Sequence, residues 1–263
     1  MMKNISGKAF MLRQQNNMKS SIKKILKYFG YKLINTRMIP ATLLDKELIL
    51  YLDFDHVLSR YLFEKDDPSD IRFIQVGAFD GITCDPLRKY LIRYDWEGVM
   101  LEPQPTPFAK LKAIYADRKK ISLINAVISK ENGKADLFIV ESDSMPEWAK
   151  GMASLDQSNI LKHENLLPGL SSTIRKAEVE AISFDTILKD HNFESIDLLQ
   201  IDTEGFDAEV LKLFPFDKIK PRIIHFESKH IPRPEQERTL TFLTGMGYLI
   251  ARDRDEDMMA ILK

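Results

Sequence analysis

Arg72-Phe73-Ile74-Gln75-Val76-Gly77-Ala78-Phe79-Asp80-Gly81 is the stretch from which the rest of the chain can be read. Phe73, Ile74 and Val76 form the short apolar run of a strand covered on both faces, and Gly77 and Gly81 follow at once with Asp80 between them. Glycine at a strand end lets the backbone take positive φ and approach a ligand closely. A helical pattern from Asp85 to Arg93 comes next, so the reading is strand, tight loop, helix, with the helix start facing a crevice. The glycines are spaced Gly-x-x-x-Gly, not Gly-x-Gly-x-x-Gly, which leaves the pyrophosphate fingerprint incomplete and points to a ligand without phosphates.

Trp96 to Glu102 supplies a second buried strand, with Gly98, Val99, Met100 and Leu101 in a row and Pro103 and Pro105 stopping it. Its last residue, Glu102, lies where an acid can accept both hydroxyls of a ribose, about 20 residues beyond the glycine loop. An adenosine-bearing ligand that lacks a pyrophosphate is S-adenosylmethionine.

A chain of 263 residues can form one large α/β domain with a small appendage. One cysteine, Cys84, makes no internal disulfide and fits a reducing compartment, so the cytoplasm is the expected location. Nothing approaches the roughly 20 apolar residues of a membrane span. The net charge of −1 hides an asymmetry, because residues 1–44 hold nine Lys or Arg and no acid. The remaining 29 basic and 39 acidic residues give the body about −10. Within the basic arm Ile22, Ile25, Leu26 and Phe29 recur at helical spacing, opposite Lys19, Lys23, Lys24 and Lys27. Two readings stand: weak peripheral docking on an anionic membrane face, or packing against the acidic body. Nucleic acid is disfavoured as a partner by the acidic body and by an arm without interleaved aromatics.

Residues 42–64 carry a further helical pattern, a cap on the sheet, and Asp66-Asp67-Pro68-Ser69 marks a boundary, giving an arm and cap over 1–69 and a main domain over 70–263. Phe108 to Tyr115 reads as helix and Ile121 to Ile128 as strand. Asn132-Gly133 turns a hairpin whose returning strand is Ala135 to Val140. Residues 141–178 show no period and read as a lid or substrate loop. Val179 to Ser183 is an edge strand, Phe184 to Asp190 a helix, Ile196 to Ile201 a central strand, Asp207 to Leu213 a helix and Arg222 to Phe226 a strand. Pro234 to Gly247 is helical, and an antiparallel pair, Tyr248 to Ala251 with Met258 to Leu262, ends the chain. This alternation predicts an α/β fold, a mostly parallel Rossmann-like sheet with helices on both faces and a C-terminal antiparallel hairpin.

Several of these stretches together resemble the FkbM-type S-adenosylmethionine-dependent methyltransferases: residues 73–81, Asp85-Pro86-Leu87, 96–105, Asn125-Ala126, 197–207, and Phe226-Glu227 with His230. The resemblance covers about residues 70–262 and implies a class I methyltransferase fold, with O-methylation of a sugar, glycan or natural-product hydroxyl. It implies cofactor contacts from Gln75, Gly77, Asp80, Gly81, Asp85, Glu102, Asn125 and Ala126. Many class I methyltransferases carry an acid just before the first glycine, where this chain has Gln75.

Asp202, Glu204, Glu227 and His230 fall at the carboxyl ends of neighbouring central strands, where open α/β sheets bind ligands. They are the candidates for removing a proton from the acceptor hydroxyl, directly or through a divalent cation such as Mg²⁺. Glu204 also has a simpler role available, at the start of the next helix, and His225 reads as a core histidine. The competing function is a non-catalytic S-adenosylmethionine or nucleotide sensor, which would need the loop and Glu102 but not the carboxylates after them.

Overall fold

The computed structural model describes residues 50–142, 144–146, 149, 151–253 and 257–263; the proposed basic helix lies outside them. The chain divides after Tyr51. Of the first unit only the two-residue strand Leu50–Tyr51 is described, so the part of the 42–64 pattern before it also falls outside. In the second unit the helix α1 spans Phe54–Phe63, with Asp53 accepting from His56 N at 3.2 Å and Phe54, Leu58 and Leu62 buried one turn apart.

Seven strands of this unit form the main sheet: β1 (Arg72–Val76), β2 (Glu97–Leu101), β3 (Ile121–Ile124), β8 (Leu198–Ile201), β9 (Ile223–Glu227), β10 (Tyr248–Asp253) and β11 (Asp257–Leu262). Their order across the sheet is β3-β2-β1-β8-β9-β11-β10. The first five run parallel, while β11 pairs antiparallel with both β9 and β10. Every residue of β8, and every residue of β1 after Arg72, is buried, which requires cover on both faces. Helices α2 (Arg88–Arg93), α3 (Pro105–Ile114), α5 (Phe184–Asp190), α6 (Asp207–Leu213) and α7 (Arg233–Gly245) alternate with the strands. The order reverses direction between β1 and β8, so the crevice belongs at the carboxyl ends of that pair.

Asp197 ties the other end. Its carboxylate accepts from the Tyr61 hydroxyl, from Arg72 N at 2.8 Å and from Lys65 Nζ at 2.9 Å, joining α1 to the starts of β1 and β8. Nearby, Trp96 is almost fully buried, stacks on Tyr90 and Tyr94, and donates to Pro68 O at 2.9 Å. No described helix is long and apolar enough to cross a membrane.

Five expectations need correction. The helix after the glycine loop begins at Arg88 and not at Asp85, because the Asp85 carboxylate turns back to accept from Leu87 N and Gln75 Nε2. The strand expected over 121–128 breaks at Asn125-Ala126, and Val127–Ile128 (β4) leaves for a second, four-stranded sheet. In that sheet Gly133–Val140 (β5) does not return on β4 but pairs antiparallel with Ile174–Ile182 (β7), which also pairs parallel with β4. The stretch taken for an edge strand is therefore the end of a nine-residue inner strand. Finally, residues 141–178 are not structureless: Ala153–Ser154 (β6) pairs with β5, Gln157–Leu161 forms α4, and Val140, Ala149, Met152, Ile160, Leu170 and Ile174 pack into a small core.

Candidate active site

Two cavities open at the carboxyl ends of β1, β2, β8 and β9, and they share two residues, Cys84 and Asp202. The first, of about 250 Å³, lies between the ends of the main sheet and the second sheet. Val76, Gly77, Phe79, Glu102 and Asp202 to Glu204 form one wall; Ala126, Val127, Ile128, Leu137 and Ala153 to Leu155 form the other.

Gly77 is fixed by close approach. It has φ +81°, and a Cβ built there would lie 1.7 Å from the carbonyl oxygen of Asp202, so no other residue lets β1 and β8 end side by side. Phe79 and Cys84, both on this wall, hold φ of +46° and +56°, and Glu204 holds +52°. Left-handed backbone in residues with a Cβ is strained, and three of the four described non-glycine instances border this cavity.

Glu102 is 4% exposed, and its two oxygens accept from Phe79 N at 2.9 Å and Gln104 N at 2.8 Å. Burial pushes its pKa up to about 7, against the pull of those two N–H groups. Each oxygen keeps a second lone pair for a ligand.

The second cavity, of about 420 Å³, is lined by Asp55, Asp85, Arg88, Lys89, Gln200, Asp202, His225, Glu227, Asp253 and Asp257. His225 is 3% exposed; its Nδ1 lies 2.7 Å from Gln200 Oε1 and its Nε2 3.3 Å from Asp253 Oδ2, which fits the core histidine expected. Glu227 is pushed up to about 9, first by burial and then by the charges of Asp202, Glu204 and Asp207. Asp202 opens onto both cavities yet is crowded by their walls. That desolvation, with Asp207 and Glu204 next in weight, raises its pKa well above the ordinary range.

The Asp-Thr-Glu-Gly-Phe-Asp run folds around its last residue. Asp207 is fully buried and accepts from Thr203 Oγ1 at 3.0 Å and from Gly205 N at 3.3 Å, which closes the loop and places Asp202 and Glu204 at its lip. His230 Nε2 then lies 3.7 Å from Glu204 Oε2 and 3.6 Å from Glu227 Oε1. One donor atom from each of Glu204, Glu227 and His230 falls within 4.8 Å of the others, a set that could hold a divalent cation.

The predicted residues thus separate into groups. Gly77, Glu102 and Ala126 line the first cavity with Asp202 and Glu204, while Asp85 lines the second with Asp202 and Glu227. Gln75 is buried and bonded to Asp85 at 3.1 Å. Asp80 accepts from Ile82 N, Thr83 N and Thr83 Oγ1, so it shapes the loop. A Cβ on Gly81 would meet Leu111 and Tyr115 at 2.7 Å. Asn125 donates to Glu102 O at 2.7 Å and Pro103 O at 3.0 Å, pinning the end of β2. Sequence reading missed Phe79, Thr83, Cys84, Leu137 and Ser154 on the first cavity, and Asp55, Asp253 and Asp257 on the second. Leu137 and Ser154 carry no local signal, since pairing of the second sheet alone brings them to the wall.

A profile of the methyltransferase FkbM domain matches residues 75–250. No curated protein sequence matches significantly. Among solved structures, an FkbM methyltransferase from Methylobacillus flagellatus KT superposes with a TM-score of 0.46 at 11% identity over 73% of this chain, which spans only 44% of that one. The N-terminal domain of human METTL16 in complex with SAH gives 0.43 at 12% identity over 91% of this chain and 78% of its own. The profile match, which contains both the glycine loop and the Asp202 loop, carries the assignment: the chain belongs to the FkbM methyltransferase family.

Proposed function

We propose that the protein is an S-adenosylmethionine-dependent methyltransferase that O-methylates a hydroxyl of a sugar, glycan or natural product. One observation carries the reading: Asp202 stands in the walls of two cavities of opposite character, one suited to the methyl donor and one to the acceptor. Glu102 would hold the ribose hydroxyls of the donor with its spare lone pairs, and Val127, Ile128 and Leu137 would cover the base. When bound, S-adenosylmethionine supplies an electrophilic methyl group.

The protein's own task is to hold the acceptor oxygen toward the first cavity and to receive its proton. Asp202 and Glu227, which both line the second cavity and act on each other's charge, would receive it. A carboxyl that keeps its proton up to about pH 9 is, once ionised, a stronger base than an ordinary one. Glu204, Glu227 and His230 would hold a cation such as Mg²⁺ if the reaction uses one, and it would add positive charge beside the acceptor oxygen. The carboxylates also disfavour a polyanionic acceptor such as nucleic acid.

The test is transfer of labelled methyl from S-adenosylmethionine to a panel of hydroxylated acceptors, with and without chelator. Label on an acceptor oxygen supports the reading, and loss on chelation restored by Mg²⁺ assigns the cation to the mechanism. Tight S-adenosylhomocysteine binding with no transfer to any hydroxyl compound would favour the sensor.

A further inference from the structure

The second cavity has an excess of hydrogen-bond acceptors and almost no donor left to offer. Six carboxylates line it: Asp55, Asp85, Asp202, Glu227, Asp253 and Asp257. Its two cations are already engaged, Lys89 with Asp55 and Arg88 with the Gly81 carbonyl at 3.1 Å. On its floor, Gln200 and His225 bond to each other.

Orphaned atoms point the same way. Asp85 Oδ2 and Glu227 Oε2 are buried with no hydrogen-bond partner among the described residues, and both residues line the cavity. Behind Asp85, Gln75 is 2% exposed, reaches the Asp85 carboxylate through Nε2, and leaves its own Oε1 without a partner. The two carboxyl oxygens accept when ionised, a state that a bound cation favours over the protonated one, while Gln75 lies outside the cavity and holds Asp85 in place. Buried acceptors are costly when unmatched, so an occupant that brings N–H and O–H groups is favoured over one that brings lone pairs. Positive charge on that occupant would also relieve the mutual repulsion of the carboxylates, whereas a phosphate or carboxylate would add to it.

We propose that this cavity selects an acceptor carrying a protonated amine beside its hydroxyls, an amino sugar or an aminocyclitol. The proposal rests on reading the second cavity as the acceptor site. An ammonium offers three donors in a compact group, and an amino sugar or aminocyclitol with more than one amine can present them to carboxylates on different parts of the wall. A volume of about 420 Å³ suits a mono- or disaccharide.

The experiment is calorimetric titration of neamine, and of neamine N-acetylated at every amine, into the full-length protein with excess EDTA, with and without saturating S-adenosylhomocysteine. Neamine should bind at least about tenfold more tightly than its acetylated form, and the preference should shrink as salt is raised. Asp85→Asn and Asp257→Asn, each checked for folding by circular dichroism, should each reduce the preference by about threefold or more. Should one variant fail to fold, the other together with the salt series decides. Equal binding of the two compounds overturns the proposal, as does a preference indifferent to salt and to both substitutions. So does a preference that appears only when EDTA is replaced by Mg²⁺, since the cavity would then belong to an inorganic cation. Failure of S-adenosylhomocysteine to bind would sink the methyltransferase reading alone, because the amine preference is also measured without it.

Discussion

The cavities that meet at Asp202 are built in opposite ways. In the first, a single buried acid, Glu102, is saturated on one side by two backbone N–H groups, and most of the remaining wall is apolar. In the second, carboxylates crowd one another, and two of them keep buried oxygens without hydrogen-bond partners among the described residues. A wall of the first kind is preformed and needs no ligand to be satisfied; a wall of the second kind stores charge that a ligand or a proton must neutralise. Stability and chemistry should therefore respond in different ways to changes on the two sides.

The largest effect is expected at the partition itself. Gly77→Ala would place a methyl group inside the backbone of Asp202 at a left-handed φ, and we expect a loss of about 3 kcal/mol or more, read by urea unfolding. A variant of normal stability would mean that β1 and β8 end farther apart than described. Next come Asp202→Asn and Glu227→Gln, which should each lower turnover by roughly 10²-fold, the usual scale for a lost proton acceptor. If both bind acceptor and donor normally and turn over normally, the carboxylates of the second cavity are scaffold.

A smaller effect separates the cavities by pH. Glu227 has its pKa raised from the ordinary carboxylate value to about 9, so below about pH 4 it is protonated in folded and unfolded chains alike. As pH rises toward 9 the unfolded chain gives up this proton first, and the folded state is progressively disfavoured. Neighbouring carboxylates share the proton, so Glu227→Gln should gain about 1–2 kcal/mol at pH 8, roughly 3–8 °C in Tm, and nothing at pH 4. A thermal scan in which the variant is less stable at pH 8 would reverse the sign and remove the charge-stress account.

What the sequence disclosed follows the same division. The strands of the main sheet were legible because doubly covered strands are runs of apolar residues, as in Leu198 to Ile201, and their order placed Glu102, Asp202, Glu204 and Glu227 at one edge. The second sheet was not. Its long strand, Ile-Arg-Lys-Ala-Glu-Val-Glu-Ala-Ile, is largely exposed and charged on one face, and its partner β5 precedes it by more than thirty residues. Its short strands have two residues each, below any periodicity. The wall this sheet gives to the first cavity was hidden with it. Asp253 and Asp257 were hidden for another reason: they stand at the ends of β10 and β11, where acids are ordinarily solvated, and only the pairing of β11 with β9 and β10 brings them close to His225. Residues 85–87 were read as the first turn of the helix that begins at Arg88, because the pattern does not show that the Asp85 carboxylate is taken up by Leu87 N and Gln75 Nε2.

The division of labour between the cavities is tested most directly by calorimetric titration of S-adenosylhomocysteine into the wild type, Glu102→Gln, Glu102→Ala, Asp85→Asn and Glu227→Gln, each verified as folded. Glu102→Ala should weaken binding by about 1.5–3 kcal/mol, Glu102→Gln by less, and the two second-cavity variants by no more than about threefold. Unchanged affinity in a folded Glu102→Ala protein, or a greater loss in Asp85→Asn than in Glu102→Ala, would contradict the assignment of the first cavity to the methyl donor.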